Sequence, residues 1–418
     1  RILDRFADEM LAAVQEGLLS EEIVDRNTRF NIRTMLRLGL MDSSDANPYK
    51  DMGFGDVAPW ETEDHKAKAR LAAQKSVVLL KNDGGLLPLD KKEVKKIAVL
   101  GNRAEEVLKD WYGALPTYEV SVLDGLKKAV EGTDVEIRFQ KWDSDGQAQE
   151  LARWADVAIV CVGNHPTTSP DWQWDKIQAP WGDGNVAGDG REAVDRRSLE
   201  LETEDLIKVV WQANPNTVVA LISSFPYAID WTQENVPAIV HMTQCSQELG
   251  NALADVVFGD YNPAGRLPVT FYASDADLPD FGDYDMPGHT YRYFQGKPLF
   301  PFGHGLSYSN FKYRRAKVKN DVLRIRVKNA SRMDGDEVVQ VYIRKADDVD
   351  GPIMSLRGFK RVHIKARKRA VVEIPLLAEN IDLFNPETGK MEAASGEYII
   401  YYGGTSDISK LRKLRIRI

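Results

Sequence analysis

The chain has 418 residues, 43% of them hydrophobic and 28% charged, with a formal net charge of −8. That is an ordinary globular balance with enough apolar material for two or three domains, and its acidity argues against a nucleic-acid binder. No apolar run approaches the roughly 20 residues needed to span a bilayer, so the chain reads as water-soluble and free of membrane partners. The charge is uneven: residues 311–418 hold 24 Lys and Arg against 14 Asp and Glu, a net of +10, which leaves −18 for residues 1–310. A solvated basic face is the plain reading of that surplus. The chain begins at Arg1 with neither an initiator Met nor a basic-then-apolar leader. Its start therefore reads as trimmed, and localisation stays open, with the periplasm or exterior favoured over the cytoplasm. Two cysteines, Cys161 and Cys245, are too few for a disulfide framework and read as buried free thiols.

In chain order, Leu3, Phe6, Met10, Val14 and Leu18 follow helical spacing, and Ser20 followed by Glu21 and Glu22 opens a second helix that Gly39 stops. Two helices with wide apolar stripes cannot bury them alone, so both read as the tail of a domain whose body lies elsewhere. A Gly-, Pro- and Asp-rich stretch over 42–65 predicts a linker. From Lys66 a short helix to Gln74 leads into Ser76–Lys81. Apolar runs then alternate with helical stretches: Ile97–Leu100, Val135–Phe139, Val157–Val162, Val218–Ile222 and Ala238–Met242, with helices at Leu206–Gln212 and Asn251–Phe258. Continuous β-branched runs separated by amphipathic helices predict a doubly wound, mostly parallel α/β domain covered on both faces. Beyond a connector over 274–310, seven segments alternate in twos, from FKYRRAKVK to LRKLRIRI. Seven short strands in about a hundred residues suit an immunoglobulin-like sandwich.

Ligands of open α/β sheets bind outside the carboxyl ends of the strands. The longest loop at such an end runs from Gly163 to Leu201 and holds Trp172, Trp174, Trp181, four spaced glycines, Arg191 and Glu192. Long loops inside compact domains are usually functional, and this one is too aromatic for a disordered segment. Three cofactor patterns fail by spacing. Gly101 stands alone where a dinucleotide fingerprint needs three glycines, and no phosphate loop ends in GK[ST]. A calcium loop starting at Asp183 and Asn185 breaks at Ala187 and Val194. His165 has no second His at ligand spacing and reads as a hydrogen-bonded loop residue. No metal and no cofactor is expected. What remains is an acid on a glycine run beside aromatic faces. A carboxyl against apolar surface has its pKa raised and can protonate a leaving oxygen, while Trp faces suit a pyranose ring. Glycoside cleavage of this type needs a second carboxylate, and no clear candidate for it stands out.

The stretches AAQKSVVLLKNDGGLLPL (72–89), DVVFGDYNPAGRLPVTFY (255–272), TYRYF (290–294) with PLFPFGHGLSYSNF (298–311), and LRGFKRV (356–362) closely resemble glycoside hydrolase family 3, in particular its bacterial β-glucosidase/β-xylosidase members. The resemblance implies the C-terminal portion of a three-domain architecture. Terminal helices of a (β/α)8 barrel would occupy 1–41, a linker 42–65, the α/β-sandwich domain with the acid/base loop 66–273, a connector 274–310 and a fibronectin-III-like domain 311–418. It also implies retaining, exo-acting hydrolysis of terminal β-linked glucose or xylose, with a barrel Asp as nucleophile and a loop Glu as acid and then base. Glu192, Ala193, Val194, Asp195, Arg196 and Leu199 match the family pattern E-x-x-D-R-x-x-L, so Glu192 inherits the acid/base role, ahead of Asp189 and Glu200, and Asp195 and Arg196 read as loop anchors. Trp172, Trp174, Trp181 and Arg191 are expected to shape the substrate subsites. The nucleophile does not carry over: the Asp-Trp pairs at Asp110, Asp171 and Asp230 fall in the wrong domain. The expected partners are an oligosaccharide or aryl β-glycoside and the barrel domain, and a homo-oligomer is compatible with the sequence. The competing expectation is a non-catalytic carbohydrate-binding or scaffold chain derived from the same family.

Overall fold

A computed structural model describes residues 6–43, 45–46, 58–107, 116–141, 146–163, 196–243, 246–376, 382–385, 388–392 and 394–417. The chain divides into two units, Arg1–His65 and Lys66–Ile418.

The first unit contains α1 (Ala7–Gln15) and α2 (Glu21–Arg37), neither of which has a buried residue. Ser20 stands at the N-cap of α2 but its side chain makes no capping bond, which departs from the expected signal; Glu21 and Glu22 supply the favourable charge of the first turn instead. Gly39 does end α2. At φ +69 it lets its own N–H reach Leu36 O at 3.1 Å and the Leu40 N–H reach Met35 O at 3.0 Å, the paired bonds of a Schellman stop. Phe30, Met35 and Leu36 stay more than 40% exposed.

Helix α3 (Glu63–Ser76) begins three residues before its expected start, and the second unit continues into a six-stranded sheet: β1 (Val78–Asn82), β2 (Lys96–Leu100), β3 (Glu136–Gln140), β4 (Val157–Val162), β5 (Thr217–Ile222) and β6 (Ala238–Met242). The order is β1-β6-β5-β4-β2-β3, parallel throughout except that β1 runs antiparallel to β6. Alternation sorts the side chains. Leu79, Ile97, Val99, Ile159, Val218 and Val240 face one layer of helices, α4 (Val122–Ala129) and α8 (Leu249–Val257). Leu80, Ala98, Leu100, Val160, Val219 and Ile239 face the other, α5 (Gln147–Trp154) and α6 (Glu204–Ala213), where Trp231 of α7 (Asp230–Asn235) packs as well. Each fully buried Leu or Val in these layers contributes about 1.5–3 kcal/mol of apolar transfer. α4 and α8 cross at Gly125 and Gly250, where a Cβ would lie 2.1 and 1.7 Å from backbone of the facing helix, so both positions require glycine. This is the doubly wound sheet that the apolar runs predict.

The connector carries α9 (Thr290–Tyr293) and returns to the sheet edge, pairing Leu306 with Leu79. The second layer system is a sandwich. One sheet has the order β11-β10-β15-β16, made of β10 (Gly335–Lys345), β11 (Ser355–Ile364), β15 (Glu397–Gly403) and β16 (Arg412–Arg417). The other has the order β12-β9-β7, made of β7 (Phe311–Tyr313), β9 (Val322–Asn329) and β12 (Arg369–Pro375), with β8 (Lys317–Lys319) also on β9. A hairpin of β13 (Leu383–Asn385) and β14 (Lys390–Glu392), which the period-two segments did not predict, is added to them. The stretch FKYRRAKVK is two strands, β7 and β8, rather than one.

The sheet and the sandwich meet in a polar seam built from the recognisable motifs. Arg266, 10% exposed in its side chain, pairs with Glu337, 6% exposed, at 2.9 Å. Asn262 Nδ2 donates to Ser309 Oγ and to Asp334 O at 2.9 Å, while its Oδ1 accepts from Ser307 Oγ and Tyr308 N. Gln340 Nε2 donates to Gly303 O, and Arg361 reaches both Asp336 and the Tyr261 hydroxyl.

Two imidazoles are locked into the same framework. His304 Nε2 lies 2.9 Å from Leu80 O and His241 Nδ1 lies 3.0 Å from Leu221 O; a carbonyl only accepts, so each of these nitrogens carries the proton. Burial lowers both rings to about 4. The unfolded chain protonates them near 6.5 and the folded chain does not until about pH 4, so U binds more protons in that window and stability falls as the pH drops through it. Thermal melts between pH 7 and 4.5 should show this loss, at about 1.4 kcal/mol per pH unit for each proton. His304→Gln, which keeps an N–H for Leu80 O, should reduce the slope by one proton. An unchanged slope would contradict a neutral, buried His304.

Candidate active site at the sheet switch point

The strand order reverses between β4 and β2, because the connections from β2 to β3 and from β4 through β6 run in opposite directions across the sheet. That reversal opens a crevice outside the carboxyl ends of β2 and β4, the place where doubly wound sheets bind ligands. The first residue after each strand is a glycine in a conformation that side chains avoid: Gly101 at φ +98 and Gly163 at φ +133. A Cβ on Gly101 would stand 2.3 Å from Cys161 O, and one on Gly163 would stand 1.9 Å from Ile222 O. Close backbone approach and positive φ both demand glycine here.

Gly163 is the last described residue before the long loop, and Arg196 is the first after it. Both feet are held by guanidinium groups. Arg103, in the turn after β2, donates from Nε to Gly163 O at 3.2 Å and pairs with Glu106. Arg196 donates from Nη1 and Nη2 to Pro226 O at 3.2 and 3.3 Å, and its Cζ lies 5.2 Å from the Phe225 ring centre and 4.9 Å from that of Tyr227. Cation–π contact compensates a partly desolvated charge. Desolvation nonetheless lowers the pKa of Arg196, with Tyr227, Asp275 and Glu202 opposing the shift. Tyr227 is 1% exposed, and burial raises its phenol against the lowering influence of Ser223 and Arg196. The Tyr227 hydroxyl and Arg196 Nε are buried without a hydrogen-bond partner. Ser223, the first residue after β5, accepts from Phe225 N at 2.9 Å and so turns the Phe225–Tyr227 segment under the loop foot.

From Arg196 onward the chain is stitched down. Leu199 N donates to Asp275 Oδ1 at 2.6 Å, Ala228 N donates to Leu199 O, and Glu200 bridges to Ala228. The segment leading into the next helix is bonded as well. α6 starts at Glu204, whose carboxylate accepts from Thr232 N and Oγ1 at 3.2 and 2.7 Å and pairs with Lys208.

Arg196 thus makes the contacts of an anchor. Glu192, Arg191, Trp172, Trp174 and Trp181 lie outside the described residues, as do Asp189, Asp195, His165 and Cys245. Cys161 is buried inside β4 as a free thiol, its pKa pushed up to about 12 by desolvation. Asp230 opens α7, a structural helix of the sheet domain. Arg103, Phe225 and Tyr227 escaped sequence reasoning; their only signal is position, just past the carboxyl ends of β2 and β5. Among the described residues no cluster of three or more His, Cys, Asp or Glu could hold a metal ion, and no helix is long and apolar enough to cross a membrane.

A doubly wound sheet with glycines at the ends of both switch-point strands, followed by a β-sandwich, defines the class. Residues 77–308 match the family model for the glycosyl hydrolase family 3 C-terminal domain, and residues 337–406 match that for a fibronectin type III-like domain. The chain belongs to glycosyl hydrolase family 3. It is 36% identical over 309 residues to a xylan 1,4-β-xylosidase of Xylanibacter ruminicola, covering 68% of this chain and 34% of that protein. It is 31% identical over 427 residues to a β-xylosidase of Formosa agariphila, covering 94% and 55%. Among solved structures, a β-glucosidase from Erythrobacter marinus superposes with a TM-score of 0.78 at 29% identity, covering 98% of this chain and 57% of that one. The chain therefore spans between about a third and somewhat over half of the length of these relatives.

The glycine roots are directly testable. Gly163→Ala should cost roughly 3 kcal/mol or more, since strained φ and overlap with a backbone carbonyl combine. Gly132→Ala, at φ +75 with open space around the new Cβ, should cost about 1–2 kcal/mol. Equal losses in urea unfolding would show that the strand ends relax freely.

Proposed function

We propose that this chain supplies the general acid/base of a retaining, exo-acting β-glycosidase that releases terminal β-linked glucose or xylose, with Glu192 as that acid/base and the nucleophilic Asp provided by a barrel domain. The observation that carries the reading is the position of the E-x-x-D-R-x-x-L stretch. It ends in Arg196 and Leu199, the two residues that tie the returning strand of the loop to Pro226, Ala228 and Asp275 beside the switch point. Glu192 stands four positions before Arg196 in the sequence, and Arg196 is fixed beside the crevice. The names of the relatives support the same substrate class.

In the proposed reaction the barrel carboxylate attacks the anomeric carbon as Glu192 gives its proton to the leaving oxygen. Glu192 then takes a proton from the water that releases the sugar. In this reading Trp172, Trp174, Trp181 and Arg191 are assigned to the substrate subsites on the leaving-group side.

The chain should be inactive on aryl β-glucosides and β-xylosides by itself and active when joined to the barrel segment. Inactivity of the joined protein would favour the non-catalytic carbohydrate-binding alternative. In the joined enzyme, Glu192→Ala should slow substrates with poor leaving groups by about 10²–10⁴-fold, the usual scale of general acid catalysis, while activated aryl glycosides lose far less and azide restores part of the rate. An equal loss on both substrate types would sink the assignment. Replacing Trp172, Trp174 and Trp181 together by Ala should raise KM for oligosaccharides more than for an aryl glycoside, and equal KM values for both would remove them from the subsites.

A further inference from the structure

Much of the positive surplus of residues 311–418 is gathered onto one surface of the sandwich. Alternation along the β12-β9-β7 sheet sends Leu323, Ile325 and Val327 of β9, with Val372 and Ile374 of β12, into the core. The residues between them face outward, and the register sets them in rows. In the first row Lys328 stands directly opposite Lys312 of β7 on one side and Arg369 of β12 on the other. In the second, Arg326 lies opposite Val371 and beside Arg314, whose backbone N–H donates to Arg326 O at 2.9 Å. In the third, Arg324 stands between Lys317 of β8 and Glu373, and Lys319 closes the corner opposite Val322. The face thus presents eight cations and, among its strand residues, one carboxylate, Glu373, which pairs with Arg324 at 3.1 Å. None of the other seven cations forms an ion pair among the described residues, and all of them except the partly buried Lys328 are exposed.

Like charges directly opposite one another destabilise a sheet. Cations commonly protect exposed sheet edges, but three of these sit on β9, the central strand of its sheet, where no edge needs protection. Along β9 they extend over roughly 14 Å, and the first row spans two strand spacings, roughly 10 Å. A grid of that size meets several charges of one extended polymer at once. Its outward strand positions hold no aromatic side chain on which bases could stack, and no Trp, Phe or Leu to enter a bilayer.

We infer that the outer face of the β12-β9-β7 sheet binds a linear acidic polysaccharide, whose carboxylates lie over the rows that contain Lys328, Arg326 and Arg324. That the partner is a polyanion follows from the face alone; that it is a glycan rests on the glycosidase reading above. Binding here holds the protein on a polymer and leaves cleavage to another site.

Binding of the 418-residue chain to immobilised polygalacturonate, neutral dextran, duplex DNA and phosphatidylserine vesicles tests this. Polygalacturonate should bind at least about tenfold more tightly than each of the others, and its affinity should fall about tenfold or more between about 0.01 M and 0.15 M salt. Replacing Arg326, Lys328 and Arg369 together by Gln, with an unchanged melting temperature as the check on folding, should weaken polygalacturonate binding by about tenfold or more. Replacing Lys92, Lys127 and Lys128 by Gln removes the same charge from exposed positions of the sheet domain and should change Kd by less than about twofold. Equal weakening by the two triple variants would overturn the assignment to this face. DNA or vesicles bound as tightly as polygalacturonate would overturn the polysaccharide, dextran bound as tightly would overturn the role of charge, and no polygalacturonate binding at low salt would overturn the whole. The assay needs no catalysis, so an inactive joined enzyme that still binds polygalacturonate would count against the glycosidase reading alone.

Discussion

The ion pair between Arg266 and Glu337 is the contact on which the arrangement of the second unit depends. Both side chains are almost withdrawn from water, and desolvation raises the Glu337 pKa even with the guanidinium beside it. A buried pair of this kind adds little net stability, yet removing one partner leaves an uncompensated charge at a cost of about 3–5 kcal/mol. The pair therefore acts as a registration device: sheet domain and sandwich can dock only in the position that satisfies it. Close approaches to backbone and to a buried side chain enforce the same position. A Cβ on Gly305 would stand 2.1 Å from Gly265 O, and one on Gly303 would stand 2.0 Å from Gln340 Oε1, so the connector can lie between the domains only as glycine.

That fixed docking reaches the candidate active site through Asp275. The residue begins the connector just after the sheet domain and accepts the backbone N–H of Leu199. The returning foot of the loop is consequently held from two sides, by Pro226 and the aromatic pair beneath Arg196 and by the connector that the seam holds in place. Arg196 could not serve if it were merely a surface cation. Its charge is retained in a desolvated position by two ring faces and a carbonyl, a combination that specifies its place more narrowly than an exposed ion pair would.

Much of this was legible beforehand. Period and length separated the parallel strands from the sandwich strands, because burial on both faces forces continuous apolar runs while one-sided burial forces alternation. The family motifs pointed to Arg196 as an anchor. Sequence reasoning did not find Arg103 or Tyr227, since an arginine three residues past a strand and a tyrosine in a short turn have no periodic signal. Nor did it find the β13–β14 hairpin, whose strands are three residues each and too short for any pattern. The linker reading ran on past the start of α3 because Glu63 and Asp64 look like loop residues until they are seen as the favourable first turn of a helix.

The sequence by itself determined the layers, the family and the residue proposed as acid/base, all of which rest on local pattern and on motifs read along the chain. Only the tertiary structure decided which groups converge: that the reversal of strand order falls between β2 and β4, and that Gly163 and Arg196 are held by contacts from different elements. Those facts depend on contacts between residues tens to hundreds of positions apart. Such contacts follow from how apolar layers and buried polar groups are jointly satisfied, which no local window of the chain records.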